Sequence, residues 1–142
     1  MSALGAATDW LRRFLARGPS HRNRIDDVET SVVVSGVRGK SSATKYLHDV
    51  LASRDYDVYA KVTGNKPKSY RNGEATPIQR DGRVTLYENE RELRTHGAED
   101  VAIFENQGIS DYTTRVVNQQ FAHPDVVLLT NVRQDHRDTL GR

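Results

Sequence analysis

The chain has no cysteine, so disulfides, thiolate metal centres and cysteine nucleophiles are all excluded. No run of about 18 apolar residues occurs, which leaves no candidate for a helix spanning a bilayer. The first residues lack the apolar core and small-residue cleavage site of a signal peptide, so cytoplasm is the default location. A dominant charge sign is missing too. The formal net charge of +2 is too small to argue for a nucleic-acid partner. No internal repeat or low-complexity tract is visible. What remains is 142 residues, 36% apolar and 28% charged, enough for one domain and too short for two ordinary ones. The charge is unevenly placed. Residues 1–72 carry 13 Lys/Arg against 7 Asp/Glu, whereas residues 73–142 carry 8 against 12, so the first half suits a polyanionic ligand.

Periodicity and punctuation give the organisation. Thr8 or Asp9 can begin a short helix with Trp10, Leu11, Phe14 and Leu15 on one face, ended by Gly18-Pro19 and followed by a polar linker, Ser20 to Asp27. Residues 1–29 are accordingly set apart from 30–142. Ser31 to Ser35 reads as a strand buried on both faces, and Ala43, Tyr46, Leu47, Val50 and Leu51 recur at helical spacing after a glycine-rich turn. Val58 to Val62 is a weaker strand. Ile78 to Leu86 reads as a hairpin around Asp81-Gly82, and residues 88–96 as a helix stopped by Gly97. Val101 to Phe104 and Val126 to Leu129 read as further buried strands, flanking a helix over about 111–121 capped by Ser110 or Asp111. Alternating strands and helices predict an α/β layer sandwich with a mostly parallel sheet and ligands at the carboxyl ends of its strands.

Ser35-Gly36-Val37-Arg38-Gly39-Lys40-Ser41-Ser42 lies between the best strand and the best helix. There, glycines allow successive N–H groups to face one anion, and a helix N-terminus adds its dipole. Lys40 is placed to neutralise the β/γ-phosphates and Ser41 to offer its hydroxyl to Mg²⁺, a P-loop NTPase-like arrangement. Val34 stands where the full G-x-x-x-x-G-K-[ST] pattern has its first glycine. Arg38 reads equally as a phosphate contact or a solvated charge. Glu105, ending a strand, reads by itself equally as a helix cap or arginine partner and as a site residue. His48 and His123 read as ordinary exposed or packed residues, and the sequence names no partner for His21 or His96. Trp10 with Phe14 reads as core packing or a partner contact, leaving a peripheral position at the membrane open.

Three further segments narrow the chemistry. Gly36 to Ser42, Glu105 after Val101 to Phe104, and Thr130-Asn131-Val132-Arg133-Gln134-Asp135-His136-Arg137-Asp138 together resemble the central ATP-binding domain of the Mur ligase family. Arg38 before the second glycine, and Lys61-Val62-Thr63-Gly64, look most like its poly-γ-glutamate synthase branch, the CapB/PgsB type. The likeness covers about residues 30–140. It implies a P-loop NTPase-like fold, incomplete at the carboxyl end, and the ATP-binding part of an ADP-forming acid–amino-acid ligase. Such an enzyme activates a carboxylate as an acyl phosphate, which an amine then attacks. The implied ligands are ATP with Mg²⁺, or Mn²⁺ in its place, and carboxylate and amino-acid substrates, glutamate or poly-γ-glutamate foremost. Membrane-associated partner subunits and an oligomer are further expectations. In this picture Lys40, Glu105 and His136 are catalytic, and Gly36, Val37, Arg38, Gly39, Lys40, Ser41, Ser42 and Asn131 bind the nucleotide or support its loop. Ser41, Glu105 and His136 hold metal, Thr63 touches substrate or phosphate, and Asp135 and Asp138 reach the metal through water. Asn106-Gln107-Gly108 after the glutamate departs from many relatives. The lysine, adenine contacts and amine-delivering domain expected of the family would lie beyond Arg142, so residues 1–142 alone are expected to perform no ligation. Two rivals stand beside this reading: another P-loop NTPase acting as kinase or switch, and a nucleotide-binding module without turnover.

Overall fold

A computed structural model describes residues 18–64, 66–80, 82, 86–97, 100–107 and 110–132. The expected first helix around Trp10 to Leu15, most of the Asp81-Gly82 turn, and Asp135, His136 and Asp138 lie outside the described residues. The elements are helix α1 (residues 18–26), β1 (Thr30–Ser35), α2 (Lys40–Ala52), β2 (Val58–Val62), β3 (Lys68–Arg71) and β4 (Glu74–Pro77). They continue with α3 (Leu86–His96), β5 (Val101–Glu105), α4 (Asp111–Val116), its wider π-helical continuation Val117–Ala122, and β6 (Val126–Leu129).

The sheet runs β4-β3-β2-β5-β1-β6, so the class is α/β with a mixed, mostly parallel six-stranded sheet. β2, β5, β1 and β6 are parallel neighbours, while β3 and β4 add an antiparallel edge. Their carboxyl ends therefore stand side by side. Alternation sorts the side chains. Val32, Val34, Val58, Ala60 and Ile103 face α2 through Ala43, Leu47 and Leu51. Val33, Tyr59, Ala102 and Phe104 face the other way, onto Ile25 of α1, Leu93 of α3 and Phe121. Both faces of the central strands are thus covered, which is why they read as continuous apolar runs.

Four expectations change. The polar linker Ser20 to Asp27 is largely helix: His21 stacks on Phe121, with ring centroids 4.2 Å apart, and Ile25 is buried, so packing overrides the polar pattern. A hairpin turns at Asn72-Gly73, joining β3 to β4, where none was expected, and Ile78 to Arg80, read as its first strand, are not strand. Asn72 and Gly73 have positive φ (47° and 93°), as a two-residue turn of that hand requires, and Leu86 already belongs to α3. On α2, Tyr46 is 74% exposed, while Thr44 and His48 are buried in its place. Last, β6 is not a buried strand: all four residues are exposed, because among the described residues neither core cluster extends over its faces, and it is paired only to β1.

Candidate functional site at the strand ends

Four parallel strands deliver four groups to one place. β1 runs into the loop 36–39 and α2, β2 ends before Thr63-Gly64, β5 ends on Glu105, and β6 ends before Thr130-Asn131. A pocket of about 430 Å³ opens there, lined by residues 37–42 together with Gly64 and Glu105. That volume lies within the usual range for small-molecule sites.

The loop is held from beneath. Gly36 has φ +127°, and a Cβ there would stand 2.1 Å from Thr130 Oγ1. This close approach lets the Thr130 hydroxyl donate to Arg38 O at 2.7 Å or Ser35 O at 3.1 Å. Beside it the Asn131 carboxamide accepts from Val37 N and Arg38 N, each at 3.2 Å, and donates to Arg38 O at 2.8 Å. Asn131 therefore supports the loop, one of the two roles expected of it. It also takes up the two N–H groups at the loop tip. The donors left to an anion are those at the start of α2, whose N-cap Gly39 is left-handed and whose first turn carries no side-chain cap. Lys40 lies across the loop with Nζ 2.7 Å from Gly36 O.

Glu105 closes the opposite wall. It is 7% exposed, and its Oε2 accepts from Ser41 Oγ at 2.9 Å and from Thr63 N at 3.0 Å. Ser41 and Glu105, 64 residues apart, thus meet as expected, and Thr63 enters through its backbone. Asn106, directly after, donates to Ser35 Oγ at 2.9 Å and ties the end of β5 to that of β1. Ser41 and Glu105 offer only oxygen, the donor type Mg²⁺ prefers. Among the described residues no cluster of three His, Asp or Glu could hold a metal. These two oxygens would instead be completed by phosphate and water, the usual manner of Mg²⁺. The donor set therefore fits the ion the sequence implied.

Sequence reasoning passed over a second polar cluster, behind β2. Lys61, 1% exposed, reaches Glu88 at 2.7 Å and also bonds Asn89. Arg80 grips Glu88 with Nε and Nη2 at 2.7 and 2.8 Å and extends Nη1 to Thr63 O at 3.3 Å. Burial alone would raise the Glu88 carboxyl, but Arg80 and Lys61 outweigh it and bring its pKa to about 2. Burial pushes the Lys61 ammonium down from its ordinary value, against the pull of Glu88. A polar residue inside an apolar strand, Lys61, was the available signal.

No family model matches the chain. It is similar to PGA synthase CapB of Bacillus subtilis (strain 168), 22% identical over 126 residues that make up 85% of this chain and 32% of that protein. It is also similar to the capsule biosynthesis protein CapB of Bacillus anthracis, 23% identical over 126 residues, 85% of this chain and 27% of that one. These likenesses support a CapB-like relation. The chain spans about a third or less of the length of these curated relatives.

Proposed function

We propose that this chain is the ATP-binding part of an ATP-dependent amide ligase of P-loop NTPase-like layout, acting in poly-γ-glutamate synthesis. The observation that carries the reading is the meeting of Ser41 and Glu105 across a pocket floored by the glycine loop and Lys40. The phosphates would rest against the start of α2, with Lys40 moving from Gly36 O to their oxygens. When bound, Mg²⁺ would supply charge neutralisation between the triphosphate and a second anion, held by Ser41 and Glu105. The carboxylate and the γ-phosphate are both anionic, so their repulsion must be offset before one can attack the other, and Lys40 and Arg38 add cations on that wall. The name of the Bacillus subtilis relative, PGA synthase, favours glutamate or its γ-linked polymer as the substrate. His136 comes five residues after Asn131 in the sequence and is proposed to complete the metal side. Cytoplasm, where ATP is available, is the proposed location.

Titration of the purified chain with labelled ATP, with and without Mg²⁺, tests this. Lys40→Ala is expected to weaken binding at least tenfold, about 1.4 kcal/mol or more for a lost charge-assisted contact. Unchanged affinity would remove the phosphate-loop assignment. Phosphorylated product without amide formation by the full-length ligase would favour a kinase instead.

A further inference from the structure

Arg80 sits outside the pocket lining, yet it joins the buried ions behind β2 to the metal-facing wall. The connection is continuous. Lys61 and Arg80 hold Glu88, Arg80 Nη1 donates to Thr63 O, Thr63 N donates to Glu105 Oε2, and Ser41 Oγ donates to the same oxygen. Thr63 is thereby clamped on both its backbone groups, one by Arg80 and one by Glu105. The clamp needs a guanidinium: two arms satisfy the Glu88 carboxylate in a planar fork and a third is left for the Thr63 carbonyl, an arrangement no ammonium reproduces. Glu88 and Asn89 come from α3, so the helix that packs over β2 also sets the β2 end. Buried ion groups of this kind add little net stability over a well-packed apolar alternative, so their weight lies in fixing geometry.

We propose that Arg80 is a positioning residue for the metal side of the site, fixing Thr63 so that its N–H holds the Glu105 carboxylate beside Ser41. The functional half of this inference rests on the ATP and Mg²⁺ reading above; the structural half does not. Two measurements on the whole chain separate them. Arg80→Lys is expected to speed hydrogen exchange at the Thr63 amide by about tenfold, while core amides of β1 and β5 keep their protection. The same variant is expected to need several-fold more Mg²⁺ for half-maximal ATP binding, with metal-free ATP affinity unchanged. Glu88→Gln loosens the grip on Arg80 at a cost in overall stability, so it is expected to speed Thr63 exchange beyond the general fall in protection, and the core-protection comparison is read in Arg80→Lys alone.

Unchanged Thr63 exchange in both variants would overturn the inference. So would an equal fall in metal-free and metal-dependent binding accompanied by loss of core protection, since that is the mark of a scaffold role. If the unmodified chain shows no Mg²⁺ dependence at all, the proposed function fails, and Thr63 exchange still decides the clamp.

Discussion

Gly36→Ala perturbs the site at the point where its geometry is most constrained. An alanine at φ +127° is strained by about 1–3 kcal/mol before any contact is counted. Its Cβ would also stand 2.1 Å from Thr130 Oγ1 and 3.0 Å from the Asn131 backbone. Displacing that hydroxyl forfeits its one bond, shared between Ser35 O and Arg38 O, about 0.5–1.5 kcal/mol. The combined cost is about 1.5–4.5 kcal/mol, with relaxation of the exposed loop favouring the lower half. Gly39→Ala is the matched control: φ is +81°, but nothing lies within 4 Å of the added atom, so only backbone strain of about 1–2 kcal/mol applies. Urea denaturation of both variants should separate them by about 1–2 kcal/mol, with Gly36→Ala the less stable. In Gly36→Ala/Thr130→Ala the clash is absent, so the two single costs should fail to add. Equal stabilities for the two glycine variants, or strict additivity in the double variant, would refute the claim that Thr130 props the loop.

Four further outcomes follow from the packing. The Glu88 pKa is depressed from 4.5 to about 2, so its ion pairs support the fold above about pH 4.5 and lose that support as pH falls toward 2; denaturation across this window should give a flatter acid limb in Glu88→Gln. Glu88→Gln should also lower stability at pH 7 by about 3 kcal/mol, because Lys61 and Arg80 lose their carboxylate, and an unchanged midpoint would contradict the cluster's burial. Burial lowers the His21 pKa from 6.5, despite its bond to Phe121 O at 2.9 Å, so stability should decline as pH drops below about 6.5, and an equal slope in His21→Asn would show that another group titrates. Val127→Lys and Leu129→Lys, at positions 55% and 57% exposed on β6, should change stability by only about 0.5 kcal/mol and reduce self-association in sedimentation, whereas a large loss would place β6 inside a core.

The parts of the fold that were legible are those where local and tertiary demands agree. β1, β2 and β5 are apolar because both their faces are covered, and their limits follow directly from the runs around Val33, Ala60 and Ile103. Helix α4 was legible from its cap: Ser110 and Thr113 bond each other's backbone. Burial was less legible. Val126 to Leu129 has the composition of a central strand, and composition cannot tell an edge from a centre. His48 read as exposed or packed and His21 had no partner the sequence could name; hydrogen bonds from Gly73 N and to Asp49 hold the first in the interior, and a stack on Phe121 the second. Asn72-Gly73, a pair as suited to a tight turn as Asp81-Gly82, forms the β3–β4 hairpin and was passed over. At the site, Ser41, Glu105 and Asn131 were legible through motif and strand-end placement. The Lys61–Glu88–Arg80 cluster was not, because its members are 8 to 27 residues apart and only the packing of α3 over β2 joins them.

The strand-end pocket is proposed to bind the phosphates of a magnesium nucleotide. The most direct measurement is a crystal structure of the chain with Mg²⁺ and a non-hydrolysable ATP analogue. The expected result has the phosphates over the first turn of α2, the Lys40 ammonium released from Gly36 O onto their oxygens, and Mg²⁺ between Ser41 and Glu105. A nucleotide bound elsewhere on the chain, or phosphates in the pocket with Ser41 and Glu105 still bonded to each other and no metal between them and the phosphates, would contradict it.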